Sequence, residues 1–142
     1  MKETSKMDLA ILGIGRFVKK RIIPIINHCT NVNLTSIISS KDCSTLFDTD
    51  VSVYSSLDSF LSFNPRGAIY ICSPNYLHYK HSIKCLERGL HVLCEKPLSI
   101  SSKETLDMIN YAKDSKRYLA VAHMLRYSPA VAEINRILKN NE

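Results

Sequence analysis

Three short clusters in this 142-residue chain combine residue types that could do chemistry. Glu95-Lys96-Pro97 sets a carboxylate beside an amine, directly after the apolar run His91 to Cys94. Proline keeps Lys96 out of the helical region and so fixes how the chain leaves that run. Gly13-Ile14-Gly15, with Arg16 and Phe17 behind it, stands between an apolar run and a helical stretch. A loop in that place offers free backbone N–H groups and a helix dipole to a pyrophosphate. The third glycine of G-x-G-x-x-G is missing, since position 18 is Val. That glycine mainly serves helix–strand packing, so the phosphate cradle survives its loss. The third cluster is Ser39-Ser40-Lys41. An NAD site usually carries Asp or Glu roughly 20 residues past the glycines, to accept from the ribose 2′-OH. Hydroxyls and an amine suit a 2′-phosphate instead, which a carboxylate would repel. Asp42 stands one residue later and is still in reach, so the cofactor expected is NADP or NAD, with NADP slightly favoured. Each cluster also has a plain reading: a surface Glu-Lys pair at a turn, a tight turn, and a solvated helix start.

These clusters need a scaffold that gathers strand ends, and the hydrophobic pattern supplies it. Leu9 to Leu12 reads as strand one, followed by a helix from Phe17 to about Asn27 in which Pro24 predicts a kink or early stop. Val32 to Ile38, Val51 to Tyr54, Ala68 to Ile71, His91 to Cys94 and Leu119 to Ala122 read as five more strands. Helices are expected over Leu57–Phe63 and Tyr76–Arg88, the latter with Tyr79, Ile83 and Leu86 inward and Gly89 at its C′ position. Ser101 and Glu104 form an S-x-x-E capping box for a helix through Lys116, with Leu106, Ile109 and Ala112 inward, and a last helix starts near Pro129. Strands alternating with helices imply one α/β domain, residues 1–142, built on a doubly wound parallel six-stranded sheet. Ligands of such sheets bind at the carboxyl ends of the strands, where all three clusters fall.

Composition narrows the field. A net charge of +6, densest at Lys19-Lys20-Arg21, comes with no nucleic-acid-binding module and reads as solvated surface. No apolar run approaches the roughly 18 residues that cross a bilayer. The first eight residues are polar and mixed in charge, unlike a secretory signal. Five cysteines, odd in number and never spaced C-x-x-C, point to a reducing, cytoplasmic compartment and away from disulfides or zinc. His78 and His81 could share a helix face without a third ligand, so no metal is expected.

Taken in order, Gly13-x-Gly15, Ser40-Lys41, Ser73-Pro74-Asn75-x-x-His78, Gly89-Leu90-His91-Val92, Glu95-Lys96-Pro97 and Arg126-Tyr127-x-Pro129 resemble the nucleotide-binding half of the Gfo/Idh/MocA oxidoreductases. The resemblance implies a six-stranded Rossmann domain for a nicotinamide dinucleotide, serving hydride transfer on a sugar, sugar-nucleotide or cyclitol. It implies that Lys96 is the catalytic lysine at the junction of nicotinamide and substrate, held by Glu95 unless Glu95 contacts the ribose. Ser73, Pro74, Asn75 and His78 would line the cofactor pocket, and Arg126 and Tyr127 would close it. Met124 replaces an Asn that many relatives carry, and the family's second α/β domain, with its Asp and His for proton transfer, has no match before Glu142. His28, His81, His91 and His123 are expected to pack or face solvent. The alternatives are therefore a truncated or split remnant, a nucleotide-sensing module, or a plain interaction domain with an empty glycine loop. A homo-oligomer or a separately encoded C-terminal domain is the partner expected beyond the small molecules.

Overall fold

The computed structural model describes residues 6–41, 43 and 50–140, so Asp42 lies outside the described residues. Strand β1 (Met7–Leu12) begins two residues earlier than its apolar run, because Met7 and Asp8 pair with Val32 and Asn33 of β2 (Val32–Ile38). Strand β3 (Ser52–Tyr54) pairs with β2, and β4 (Ala68–Ile71) and β5 (His91–Cys94) follow on the other side of β1. With β6 (Leu119–Val121) the strands form one six-stranded, fully parallel sheet in the order β3-β2-β1-β4-β5-β6. The strand order reverses between β1 and β4, and crevices open at the carboxyl ends beside such a reversal.

The helix expected over Phe17 to about Asn27 changes its winding just before Pro24. The chain winds first as a π-helical segment, Val18–Ile22, and then as an α-helical turn, Ile23–Ile26, with the proline in its first positions. The N–H of Ile23 reaches back to the Val18 carbonyl, so the winding restarts before Pro24. Pro24 therefore falls in the first turn of the α-helical segment, α1 (Ile23–Ile26), where a missing N–H is best tolerated. Val18, at the place of the missing third glycine, opens the wider π segment and is buried against Ile11, Ile37 and Tyr70.

Helix α2 (Leu57–Leu61) is shorter than its pattern predicts; Ser56 accepts from the Ser59 N–H at its start, and Ser62 already ends it. A 3₁₀ turn, Asn75–Leu77, precedes α3 (His78–Glu87). This start rotates the inward face onto His78, Ser82, Cys85 and Leu86, while Tyr79 and Ile83 are only half-buried. Gly89, at φ +76°, donates to Leu86 O, and Leu90 donates to Cys85 O, which together close the helix as a Schellman motif.

Helix α4 (Ser102–Asp114) has the predicted Ser101 cap, but Glu104 accepts from the Ile100 N–H and not from Ser101. Ala112 is buried as expected, but Leu106 is 59% exposed and Ile109 also faces outward, while Met108 is the other buried residue. The last helix, α5 (Pro129–Asn140), follows a 3₁₀ segment, Met124–Tyr127, and buries no residue.

Two apolar layers hold the sheet. Ile69, Ile71, Leu86, Leu90 and Val92 belong to one cluster, and Ile11, Ile37, Val18 and Tyr70 to the other. Fully burying such a side chain contributes about 1.5–3 kcal/mol. All five cysteines are free thiols. No helix among the described residues is long and apolar enough to cross a membrane.

Candidate functional site

Two clefts, of about 600 and 470 Å3, flank the strand reversal and share Gly15, Cys72 and Ser73. The larger spans the ends of β1, β2 and β4, and the smaller reaches toward β5. Their floor is the glycine loop. Gly13, at φ +94°, donates its N–H to Ile38 O at 2.9 Å, and a Cβ there would stand 2.7 Å from Cys72 O. Only glycine fits between these strands.

Gly15 is the opposite case. Among the described residues a Cβ on it would meet no atom within 4 Å beyond its chain neighbours, and no positive φ requires it. Nothing among the described residues explains this glycine, whereas a pyrophosphate approaching the loop does, because a Cβ would fill its place. The residues present therefore fit a dinucleotide. Ile14 lines the larger cleft and Phe17 the smaller one, while Arg16 is exposed and lines neither.

At the end of β2, Ser39 Oγ accepts from the Lys41 N–H at 3.0 Å and donates to Lys41 O at 3.1 Å. This small turn displays Ser40 and Lys41, both exposed, on the wall of the larger cleft. No carboxylate pairs with the Lys41 ammonium among the described residues. The turn is thus a cationic rim at the far end from Lys96.

Ser73 lies between the two clefts, Pro74 lines the larger and Asn75 the smaller. His78 does not line either one. Its ring is 0% exposed, with Nδ1 bonded to Pro97 O at 2.7 Å and Nε2 to Ser73 O at 2.8 Å. The histidine that reaches the cleft is His81, one turn on, whose Nδ1 lies 2.9 Å from Ser73 Oγ. Burial first, then Lys80 and Lys84, hold its pKa below the usual histidine range. The i, i+3 spacing of the two rings was the available signal; the 3₁₀ turn decides which one points inward.

The hydroxyl of Tyr70 donates to Glu95 Oε1, and the Lys96 N–H donates to Oε2 at 3.2 Å. Glu95 is thus tied to the β4 core and to the lysine backbone, not to the lysine ammonium. Burial, and then Glu95, push the Tyr70 pKa upward, which keeps the phenol a donor. Lys96 is exposed and, with Glu95, lines the smaller cleft beside Asn75 and Phe17. Arg126 and Tyr127 line neither cleft; their segment instead contributes Met124. Ser55, Ser56, Leu57, Cys72 and Leu77 also line the larger cleft and gave no sequence signal beyond lying at element ends.

An open parallel sheet in this order, with a glycine loop at its first βα turn and a crevice at the reversal, defines a dinucleotide-binding Rossmann domain. The family model described as "Oxidoreductase family, NAD-binding Rossmann fold" matches residues 7–123, and the chain belongs to this Gfo/Idh/MocA family. It is 34% identical over 128 residues to D-xylose 1-dehydrogenase (NADP(+)) 2 of Haloferax volcanii, a match covering 87% of this chain and 39% of that protein. It is 35% identical over 85 residues to scyllo-inositol 2-dehydrogenase (NADP(+)) of Bacillus subtilis, covering 60% of this chain and 26% of that one. The crystal structure of D-galactose-1-dehydrogenase from Rhizobium etli superposes with a TM-score of 0.89 at 27% identity, covering 98% of this chain and 44% of that one. The chain spans less than half the length of each of these relatives.

Proposed function

We propose that the domain binds NADP or NAD along the two clefts and serves hydride transfer on a hydroxyl or carbonyl carbon of a sugar, sugar-nucleotide or cyclitol. The observation that carries the binding is Gly15, whose missing side chain leaves an open space the protein does not use. The amides of the Gly13–Phe17 loop would hold the pyrophosphate, and Ser40 and Lys41 the ribose end, with a 2′-phosphate matched by the Lys41 ammonium. Pro74, Asn75 and Ser73 would line the crevice between them. When bound, the nicotinamide gives or takes the hydride. Lys96 would orient the reacting oxygen and stabilise its developing charge, and Glu95 would keep the lysine backbone in place. The names of the matched relatives, xylose, inositol and galactose dehydrogenases, support this substrate class.

Proton transfer needs groups that the smaller cleft does not provide, since Glu95 is its one acidic side chain and is engaged by Tyr70. Those groups would come from a second domain, covalent or separate, or from a second copy. Met124, which lines the smaller cleft, and Leu125, Tyr127, Ile134 and Leu138 of the segment and helix after it are all exposed and would suit such a neighbour. Without one, the domain would bind the dinucleotide as a sensor. The free thiols are consistent with a reducing compartment such as the cytoplasm. Nicotinamide-fluorescence titration with NADPH and NADH tests the reading, which falls if neither binds below about 1 mM. Turnover of a sugar panel that survives Lys96→Ala removes the role given to that lysine.

A further inference from the structure

At the other end of the sheet, the residues leading into β4, β5 and β6 surround a separate cleft of about 460 Å3. Arg66, Arg88 and Arg117 line it together with His91, and no acidic residue lines it among the described residues. The ion pairs among the described residues, Lys84–Asp58 and Arg136–Glu133, use none of these arginines. Arg88 makes one long bond, Nη1 to Leu61 O at 3.5 Å. The Arg117 guanidinium lies over Gly89, where an added Cβ would stand 3.3 Å from Nη2. His91 Nδ1 accepts the Tyr118 N–H at 3.0 Å, so a neutral His91 carries its proton on Nε2, as a donor.

Helix ends explain part of this charge. Arg88 follows α3 and Arg117 follows α4, and cations are favoured at helix C-termini. That account does not reach Arg66, which sits in the turn before β4, nor the meeting of all three in one polar cleft. Like charges gathered in one cleft repel, although the Asp58 carboxylate attracts Arg88 from outside it, and a multivalent anion reverses the sign of that interaction. Guanidinium forks pair with phosphoryl oxygens two at a time.

We propose that this cleft binds a small phosphorylated ligand, with its phosphoryl group on Arg66, Arg88 and Arg117. The site lies at the opposite strand ends from the dinucleotide crevice and is independent of it.

The test is isothermal titration and amide-resolved NMR with inorganic pyrophosphate and with a hexose 6-phosphate. Saturable binding below about 1 mM is expected, with the largest shifts at Gly89, His91 and Arg117. Arg66→Gln and Arg117→Gln should each weaken it about tenfold or more, a loss of about 1.4 kcal/mol, while NADPH titration stays unchanged. Tighter pyrophosphate binding marks a polyphosphate ligand, and tighter hexose phosphate binding marks a sugar ester; either supports the site. Shifts that do not saturate, or binding lost in Lys41→Ala and kept in both arginine variants, overturn it. Arg66 is on an exposed turn, so its variant keeps the test valid if the Arg117 variant folds poorly.

Discussion

His78 and Pro97 are joined by a 2.7 Å bond from the ring Nδ1 to the proline carbonyl, while the ring's other nitrogen holds Ser73 O. One buried side chain therefore ties the loop after β4 to the Glu95-Lys96-Pro97 segment, and both loops supply cleft residues. A neutral ring donates to one of these carbonyls, and serving both takes a second ring proton. His78→Ala should cost about 2–4 kcal/mol, from stranded buried carbonyls and the cavity left behind. Urea denaturation measures the loss. NADPH affinity should fall with it, and His78→Asn should recover part of both.

Two glycines separate a structural demand from a ligand's demand. Gly13→Ala forces a Cβ against Cys72 O at positive φ and should destabilise by about 2 kcal/mol or more. Gly15→Ala meets open space and should leave the urea midpoint nearly unchanged while weakening dinucleotide binding about tenfold or more. Equal stability losses in the two variants would contradict this division.

The Ser40-Lys41 rim should set the preference between dinucleotides. Lys41→Ala is expected to raise the NADPH dissociation constant about tenfold, the effect of one lost charge-assisted contact of about 1.4 kcal/mol, with little change for NADH. Ser40→Asp should push further in favour of NADH. Parallel fluorescence titrations read the ratio, and equal loss of both cofactors would remove the 2′-phosphate assignment.

Burial pushes the thiols of Cys72, Cys85 and Cys94 up to about 12, from an ordinary value of 9.0. A raised acid pKa means that the folded state keeps protons which the unfolded chain releases. Their contribution to stability is complete below pH 9 and disappears as pH rises toward 12. Stability should therefore fall by up to about 1.4 kcal/mol per pH unit for each thiol in that window. Urea midpoints at pH 8, 9.5 and 10.5 check the slope. At pH 8 the buried thiols of Cys85 and Cys94 should react with iodoacetamide only after unfolding.

Much of the architecture was legible because a parallel sheet buries both faces of its inner strands. Val32–Ile38, Ala68–Ile71 and His91–Cys94 stand out as apolar runs bounded by turn residues, and they are strands over those same bounds. The misreadings concern phase and pairing, which depend on neighbours. Met7 and Asp8 are in β1 because β2 offers them partners, and neither is apolar enough in context to extend a run. In α4 the inward column is set by docking against α3, so Met108 is buried and Leu106 is not. The order of the site motifs was visible, since the glycine loop, Ser40-Lys41 and Glu95-Lys96 all fall at carboxyl ends of strands. That His78 lies under the crevice and His81 faces it depended on a single 3₁₀ turn, which leaves no periodic trace.

Helix α5 has a second meaning. Its twelve residues contribute no buried side chain, so opening it sacrifices little apolar contact with the remainder of the domain. Its amides should exchange with solvent far faster than those of β1 or β4, and limited proteolysis should cut there first. The six-stranded unit would then remain cooperative after the cut, with its last helix acting as a detachable foldon that whatever packs against it must order.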